Sequence, residues 1–351
     1  MLSDVVPPYS WRMNRLTHDI DAIVANCSVH RPFSGVISVD RHGETLYARA
    51  HGWANRSERI PNRVTTRFQT ASGTKTFTAA AVLCLVDEGL VSLETPVRSI
   101  LPEVLPAMDD QVTLEDLLTH TSGIPDYFDE ETRPPEDFEK LWWERPCYRM
   151  RSPSDFLPWM EDQPMVSPPG ERFRYNNGGY VLLGILIERI TGESYHEVVR
   201  SRVFRPAKML DSGFYEADKL PERTALAYID ADDGTWRTNL FAVPSIGMPD
   251  GGAYVTAPDM VRFWDALRTG RLFRRSLADR MRSARVAASG HVSYGYGLWV
   301  YPTHCVAIGD DPGVTFSSGL FESTSITATV IGNIDNVGWQ VWKKLAARLA
   351  A

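Results

Sequence analysis

Short β-rich segments stand at both ends of the chain, and this arrangement limits the possible folds more than any other feature. Residues 34–55 contain two strand-like stretches on either side of the turn residues His42-Gly43, which predicts a hairpin. Near the other end, four short strands separated by turn signals are predicted over 294–302, 303–310, 313–322 and 324–333. The pattern predicts an antiparallel sheet built from both ends of the chain.

Helices are predicted on either side of this sheet and through the middle of the chain. Apolar residues recur at helical spacing over 11–26 and 336–350, which predicts helices that flank the sheet. We therefore expect an α/β chain of the α+β type, with residues 1–351 forming one catalytic domain. Its α/β lobe comprises 1–70 and 271–351, and its mainly helical lobe comprises 71–270.

One segment of the helical lobe, residues 126–162, is acidic up to Glu139 and then carries Trp142, Trp143, Tyr148 and Trp159. An insertion of this composition is typical of a lid or pocket wall. A solvated loop whose tryptophans dock on the core is an equally good interpretation.

Charge and composition exclude several classes of function. The net charge of −7 argues against nucleic-acid binding, which needs a basic surface. The longest apolar run, 180–187, is too short for a membrane span, and the first twenty residues lack the apolar region of a signal peptide. We expect a cytoplasmic protein, unless a leader has been removed. The eight histidines and four cysteines show no metal-ligand spacing, so we expect neither metal nor cofactor.

Lysine is rare: six of the 37 cationic residues are lysines, and one of them, Lys75, lies three residues after Ser72. On a helix these two side chains share a face, and the start of a helix favours a developing negative charge. A lysine that has lost its proton in a desolvated pocket can take the proton of the serine hydroxyl. Such a spacing has roughly a four-in-ten chance of arising by accident in this chain, so alone it decides nothing.

A second element, Tyr175 and Asn177, lies in a turn before an apolar helix. Alternation at the turn points both side chains in the same direction. A tyrosine beside an ammonium group can have a lowered phenol pKa and relay a proton, and an asparagine can bind both the lysine and a substrate carbonyl. The alternative is ordinary turn chemistry ahead of a helix.

Four blocks together resemble the serine β-lactamase superfamily, in the branch of class C β-lactamases, D-aminopeptidases and related esterases. They are Ser72-x-x-Lys75, Leu114–Gly123, Tyr175-x-Asn177 and Gly251–Asp259. The resemblance extends from about Ser34 to Phe321 and implies a β-lactamase/transpeptidase-like fold. It also implies Ser72 as nucleophile, Lys75 as its base partner and Tyr175 as acid and base. Asn177 is the implied substrate-orienting group.

The chain departs from this family at its third motif, Lys-Thr-Gly or His-x-Gly. We align that motif to Asp311-Pro312-Gly313, so an anion replaces the family's cation and a carboxylate substrate is expected to be repelled. In this alignment Gly313 allows a close backbone approach, and the Val314 amide joins the Ser72 amide in an oxyanion hole.

The residues therefore predict a serine hydrolase that forms an acyl-enzyme and cleaves a small-molecule ester or amide, as an esterase or aminopeptidase does. Asp310, Asp311 and the acidic stretch 126–139 favour a substrate with an uncharged or cationic group, such as an amino-terminal ammonium. Two alternatives stay open: a β-lactamase or D-Ala-D-Ala peptidase, and a degenerate enzyme retained as a binding protein. The oligomeric state is left open.

Overall fold

Strands from both ends of the chain join in one eight-stranded antiparallel sheet. The computed structural model describes residues 8–351, with side chains from residue 15 onward. Its strands are β1 (Gly35–Arg41), β2 (Glu44–His51), β3 (Trp53–Asn55), β4 (Ile60–Pro61), β5 (Phe68–Gln69), β6 (Tyr228–Asp230), β7 (Trp236–Thr238), β8 (Tyr254–Val255), β9 (Val286–Ser289), β10 (Val292–Tyr294), β11 (Trp299–Val300), β12 (Cys305–Asp311), β13 (Val314–Phe321) and β14 (Ile326–Gly332). The large sheet has the order β2-β1-β14-β13-β12-β11-β10-β9.

The pairing of β1 with β14 joins the strands from the two ends of the chain, with Gly35 opposite Gly332 and Arg41 opposite Ile326. The predicted turn lies between β1 and β2, where His42 and Gly43 have φ values of 51° and 81°. Two consecutive residues with positive φ make the tight turn that matches strand twist. The expected α+β architecture and its antiparallel sheet are confirmed.

The α-helices surround the sheet and fill the middle of the chain. In the described residues they are α1 (Pro8–Cys27), α2 (Lys75–Asp87), α3 (Leu114–Leu118), α4 (Leu141–Glu144), α5 (Asn177–Thr191), α6 (Tyr195–Val199), α7 (Ala257–Thr269), α8 (Arg275–Arg282) and α9 (Val337–Ala350). None of these helices has both the length and the apolar character that crossing a bilayer requires.

One predicted strand, 294–302, is wrong: the chain forms β10 and β11 with a turn between them, and β9 precedes them. The turn lies against α2. The Gly297 carbonyl accepts the Thr76 hydroxyl at 2.7 Å, and a Cβ at Gly297 would lie 2.7 Å from the Lys75 carbonyl oxygen. Because Gly297 also has a φ of 69°, it permits both the turn and this close contact.

Two apolar cores cover the two faces of the sheet. The terminal helices α1 and α9 pack on one face, where Ile20, Ile37 and Leu345 are fully buried. The other face meets a larger core that includes Phe77 of α2 and Phe263 of α7. The division into lobes at residues 70 and 270 stays a prediction, and residues 1–7 of the first lobe lie outside the described residues.

The helices α2 and α5 determine where the site lies. Both are buried along most of their length, and they pack against each other. Asn176 caps α5 by accepting the Gly179 amide at 2.7 Å, and Gly192, with a φ of 72°, ends it. The start of α5 therefore faces the first turn of α2, which carries Lys75.

Candidate active site

Ser72 lies in a short 3₁₀ turn, Ala71–Thr74, that leads directly into α2. Backbone hydrogen bonds hold this turn against the 251–259 block: the Thr70 amide donates to the Ala253 carbonyl at 2.8 Å, and the Gly252 amide donates to Ala71 at 3.2 Å. As an early residue of the turn, Ser72 has an amide without an intrahelical acceptor. That amide is available to a ligand beside the hydroxyl.

Lys75 is 1% exposed and connects Ser72 to the rest of the site. Its Nζ donates to Ser72 Oγ at 3.0 Å, to Asn177 Oδ1 at 2.7 Å and to the Asp250 carbonyl at 2.7 Å. The last two are carbonyl oxygens, which can only accept, whereas a serine hydroxyl can accept or donate. A neutral amine can thus keep its two N–H groups on the carbonyls and receive the Ser72 proton on its lone pair.

Asn177 is the first residue of α5, and the acidic segment holds it through both its backbone and its side chain. The Asp126 carboxylate accepts the amides of Asn177 at 2.7 Å and Gly178 at 2.8 Å, while Asn177 Nδ2 donates to Glu130 Oε1 at 3.0 Å. Burial raises the pKa of Asp126 to about 7, although these amide hydrogen bonds oppose the shift. The carboxamide that was expected to orient a substrate is thus bound at both ends.

Tyr175 lies beside the lysine, with Lys75 Nζ 5.0 Å from the ring centroid. Its ring stacks on Trp299 at 6.0 Å and contacts the His120 ring at 4.5 Å. The expectation of a lowered phenol pKa is wrong. Burial, followed by the nearby Glu130 charge, raises the pKa of Tyr175 well above its usual value, and a hydrogen bond with Ser72 only partly offsets this. Tyr175 is therefore a neutral phenol in the free protein.

His120 supports the turn between Tyr175 and Asn177 rather than the reacting atoms. Its Nδ1 accepts the Asn176 amide at 3.0 Å, and its φ of 59° is left-handed. Burial and the Lys75 charge lower its pKa well below the usual value, so the ring is neutral. The ring fixes the backbone between the two predicted site residues.

The predicted roles of Gly313 and Val314 are wrong. The two-residue turn Pro312-Gly313 closes on the pair Asp311–Val314, and in an antiparallel hairpin such a pair exchanges its backbone hydrogen bonds. The Val314 amide therefore points at β12 and not at the site. Gly313 donates its amide to Asp335, and its close backbone approach is to Tyr228.

The glycine that lets the strand approach the nucleophile is Gly309. A Cβ there would lie 2.0 Å from the Thr70 carbonyl oxygen and 2.8 Å from the Ser72 amide nitrogen. Since Asp311 bonds to β13, alternation directs the Asp310 amide to the opposite edge of β12. That edge is unpaired here, because β11 pairs only with Cys305 and Val306. The Asp310 amide, and not that of Val314, is therefore directed toward the side of β12 on which the Ser72 turn lies.

A cavity of about 670 Å³ opens in front of Ser72. Its lining includes Asn177, Asp311 and one cation, Arg133, whose guanidinium lies over the Phe128 ring at 4.9 Å. Seven carboxylates line it: Glu130, Glu136, Glu139, Asp250, Asp310, Asp311 and Asp335. Glu139 pairs with Arg237 at 2.7 Å, and among residues 15–351, whose side chains the structure describes, no ion pair involves the other six.

Burial and the neighbouring carboxylates raise the pKa values of Asp310 and Asp311. Burial raises the pKa of Asp310 to about 6, with further increases from Asp335 and Glu130. Burial, followed by the Asp250 charge, raises the pKa of Asp311 well above its usual range, although Lys75 opposes this. A cation that enters the cavity would relieve this repulsion. Within the described residues, no three potential ligands are grouped so as to hold a metal ion.

The structure brings Ser72, Lys75, Tyr175 and Asn177 together and places Asp311 in the same cavity. Gly309 and Asp250 were missed by the sequence reasoning. A glycine inside an apolar strand is a signal of close backbone approach and could have identified Gly309. Asp250, whose carbonyl binds Lys75 and whose carboxylate accepts the Tyr127 hydroxyl, has no comparable signal.

Known proteins resemble the chain over almost its whole length. A sequence model of the beta-lactamase family matches residues 20–339. Esterase EstB from Burkholderia gladioli is 31% identical over 324 residues, which cover 84% of this chain and 80% of EstB. The crystal structure of a penicillin-binding protein from Bacillus halodurans is 40% identical with a TM-score of 0.88, covering 94% of this chain and 99% of its own. A D-amino acid amidase from Ochrobactrum anthropi SV3, complexed with L-phenylalanine amide, is 25% identical with a TM-score of 0.74, covering 95% and 99%.

Proposed function

Because the chain belongs to the beta-lactamase family, we propose that it is a serine hydrolase that cleaves esters or amides through an acyl-enzyme on Ser72. One observation carries the proposal: Lys75 Nζ lies 3.0 Å from Ser72 Oγ, and its two other partners are carbonyl oxygens. This arrangement lets a neutral lysine accept the hydroxyl proton without losing a hydrogen bond.

Acylation begins when Ser72 Oγ bonds to the substrate carbonyl carbon and its proton moves to Lys75 Nζ. The bond from that carbon to the leaving oxygen or nitrogen then breaks. The proton on Lys75 passes through the Tyr175 phenol to the leaving group, which departs as an alcohol or amine. Because Tyr175 starts as a neutral phenol, it gives one proton and receives one in the same step.

Deacylation repeats these steps with water. The water oxygen bonds to the acyl carbon, one water proton moves to Lys75, and the bond to Ser72 Oγ breaks as the proton returns to it. The acid is released and the free enzyme is restored. In both half-reactions the amides of Ser72 and Asp310 hold the oxyanion.

The acidic cavity supports a substrate class as well as a reaction. Six carboxyl groups that have no ion-pair partner among residues 15–351 line the cavity, and those that are ionised would repel a substrate carboxylate and attract an ammonium group. We therefore propose substrates with an uncharged or cationic group near the scissile carbonyl, including amino-terminal ammonium groups. The likeness to EstB and to a D-amino acid amidase supports esterase or amidase chemistry.

A second candidate is a β-lactamase or D-Ala-D-Ala peptidase, which the 40% identity with a penicillin-binding protein favours. Substrates of that class present a carboxylate, and the family's third motif meets it with a cation. Here Asp310 and Asp311 occupy the end of β12, and the cavity's one cation among the described residues lies over Phe128. The charge of the cavity opposes this candidate.

Labelling with a fluorophosphonate probe, followed by peptide mass spectrometry, tests the nucleophile. We expect one adduct, on Ser72, and none in Ser72→Ala. Folded wild-type protein that carries no adduct on Ser72 would overturn the proposal and favour a binding protein.

Turnover of three chromogenic substrates tests the class: a p-nitrophenyl ester, a D-amino-acid p-nitroanilide and a cephalosporin. We expect faster hydrolysis of the ester or the anilide. If the cephalosporin reacts fastest, the second candidate is correct and the charge argument fails.

A further inference from the structure

Glu130 is the carboxylate most closely connected to the catalytic groups. Its Oε1 accepts Asn177 Nδ2 at 3.0 Å, and Asn177 Oδ1 accepts Lys75 Nζ at 2.7 Å. Since Lys75 also donates to Ser72, Glu130 is three hydrogen bonds from the nucleophile. It is exposed to the cavity that a substrate enters.

The two acidic residues next to Glu130 in the sequence, Asp129 and Glu131, form ion pairs with an arginine, whereas Glu130 forms none among residues 15–351. Arg174 pairs with Asp129 and, at 3.3 Å, with Glu131. Among residues 15–351 no ion pair involves Glu130, and its charge contributes to the raised pKa values of Asp310 and Asp311 on β12. The segment therefore presents one uncompensated carboxylate to the site at this point.

This contact changes what Asn177 offers a substrate. An acylated amino group presents a carbonyl oxygen, which needs a donor, but Glu130 accepts one of the two N–H groups of Asn177 Nδ2 and places its own negative charge beside the other. A protonated amino group has three N–H donors and a positive charge, both of which suit a carboxylate. The two forms of one substrate should therefore be treated differently.

We propose that Glu130 makes this site select substrates with a free, protonated amino group over the same substrates with that group acylated. The inference rests on the proposed function and adds to it a specificity-determining residue. If Glu130 only positioned Asn177, its removal would slow both kinds of substrate equally, because Lys75 acts on both.

The test compares D-alanine p-nitroanilide with its N-acetyl form at pH 6.5, where the α-amino group is protonated. The enzymes are the wild type, Glu130→Gln and a matched control, Glu131→Gln. We expect the wild type to prefer the free amine, and Glu130→Gln to raise KM for that substrate about fivefold, as for a partly exposed ion pair. The N-acetyl substrate and the control variant should change less than twofold. An equal loss for both substrates, or an unchanged preference, would overturn the inference.

A second measurement does not depend on turnover. D-alanine amide and N-acetyl-D-alanine amide compete with the fluorophosphonate probe for Ser72. We expect the free amine to protect Ser72 better in the wild type and to lose this advantage in Glu130→Gln. Equal protection by both amides in the wild type overturns the selectivity, whereas failure of the probe to label Ser72 at all overturns the proposed function itself.

Discussion

The two walls of the cavity differ in how their charged groups are paired with other protein groups. In the wall formed by the Ser72 turn and the starts of α2 and α5, charge is matched to partners: Lys75 is fully buried and donates three hydrogen bonds. In the wall formed by the end of β12 and residues 126–139, the carboxyl groups of Glu130, Glu136, Asp310 and Asp311 line the cavity and form no ion pair among residues 15–351, and Asp310 and Asp311 have raised pKa values.

This difference separates the groups that we propose to carry out the reaction from the groups that we propose to select the substrate. Groups that must hold one geometry are held by buried hydrogen bonds, since a displacement of an ångström is costly to catalysis. Groups that recognise a charged substrate can lack an ion-pair partner in the protein, because the bound substrate supplies the opposite charge. Glu130 is the contact between the two walls, since it belongs to the acidic wall and binds Asn177 of the other.

Removing the base from the first wall should have the largest effect. Lys75→Arg keeps a cation but replaces a group that can lose its proton with one that cannot. We expect kcat to fall by about 10³-fold on every substrate, as for the loss of a general base, and circular dichroism should show a folded protein. A variant that keeps a tenth of the activity would show that Lys75 supplies only charge.

The second-largest effect is expected from a change in the distance between β12 and the Ser72 turn. Gly309→Ala would place a methyl group 2.0 Å from the Thr70 carbonyl oxygen, so the Ser72 turn must move. We expect kcat/KM to fall by about 100-fold.

A matched control for this substitution is Gly251→Ala, whose Cβ would make ordinary contacts of 3.6 Å with Ala71. It should retain activity within a few fold. Equal effects of the two variants would show that the distance between β12 and the turn does not matter.

Titration of the acidic wall should have the smallest effect. It should appear as a dependence of KM on pH. The pKa of Asp310 is raised to about 6, so its negative charge is present above pH 6 and is lost as the pH falls below 6. For an ammonium substrate we expect KM to rise about fivefold between pH 7 and pH 5.

The neutral N-acetyl substrate should show no such rise in KM. Asp310→Asn keeps the backbone amide and should flatten the dependence for the ammonium substrate. A pH profile that is the same in Asp310→Asn would assign the titration to another group.

Much of the fold follows from local patterns. The turn at His42-Gly43 lies where its residue types predict it, because it depends on a few consecutive residues. The spacing of Ser72 and Lys75 likewise predicts their contact, because neighbours at i and i+3 share a helical face.

Other predictions failed where a residue's role depends on a distant segment. The phenol pKa of Tyr175 is raised because of burial that its sequence neighbours do not reveal. The strand predicted over 294–302 is broken because Gly297 packs on α2.

What the sequence determined by itself was therefore the hairpin at His42-Gly43, the helices that flank the sheet and the spacing that brings Ser72 and Lys75 together, since these depend on short-range patterns. Which amide faces that nucleophile was decided only by tertiary structure. Gly309 and Gly313 lie four residues apart on one hairpin, and both allow close backbone contact. Only the packing of β12 against the Ser72 turn directs the first glycine to the site and the second to Tyr228, because hydrogen bonding in a sheet alternates by residue and its register is set by the whole sheet.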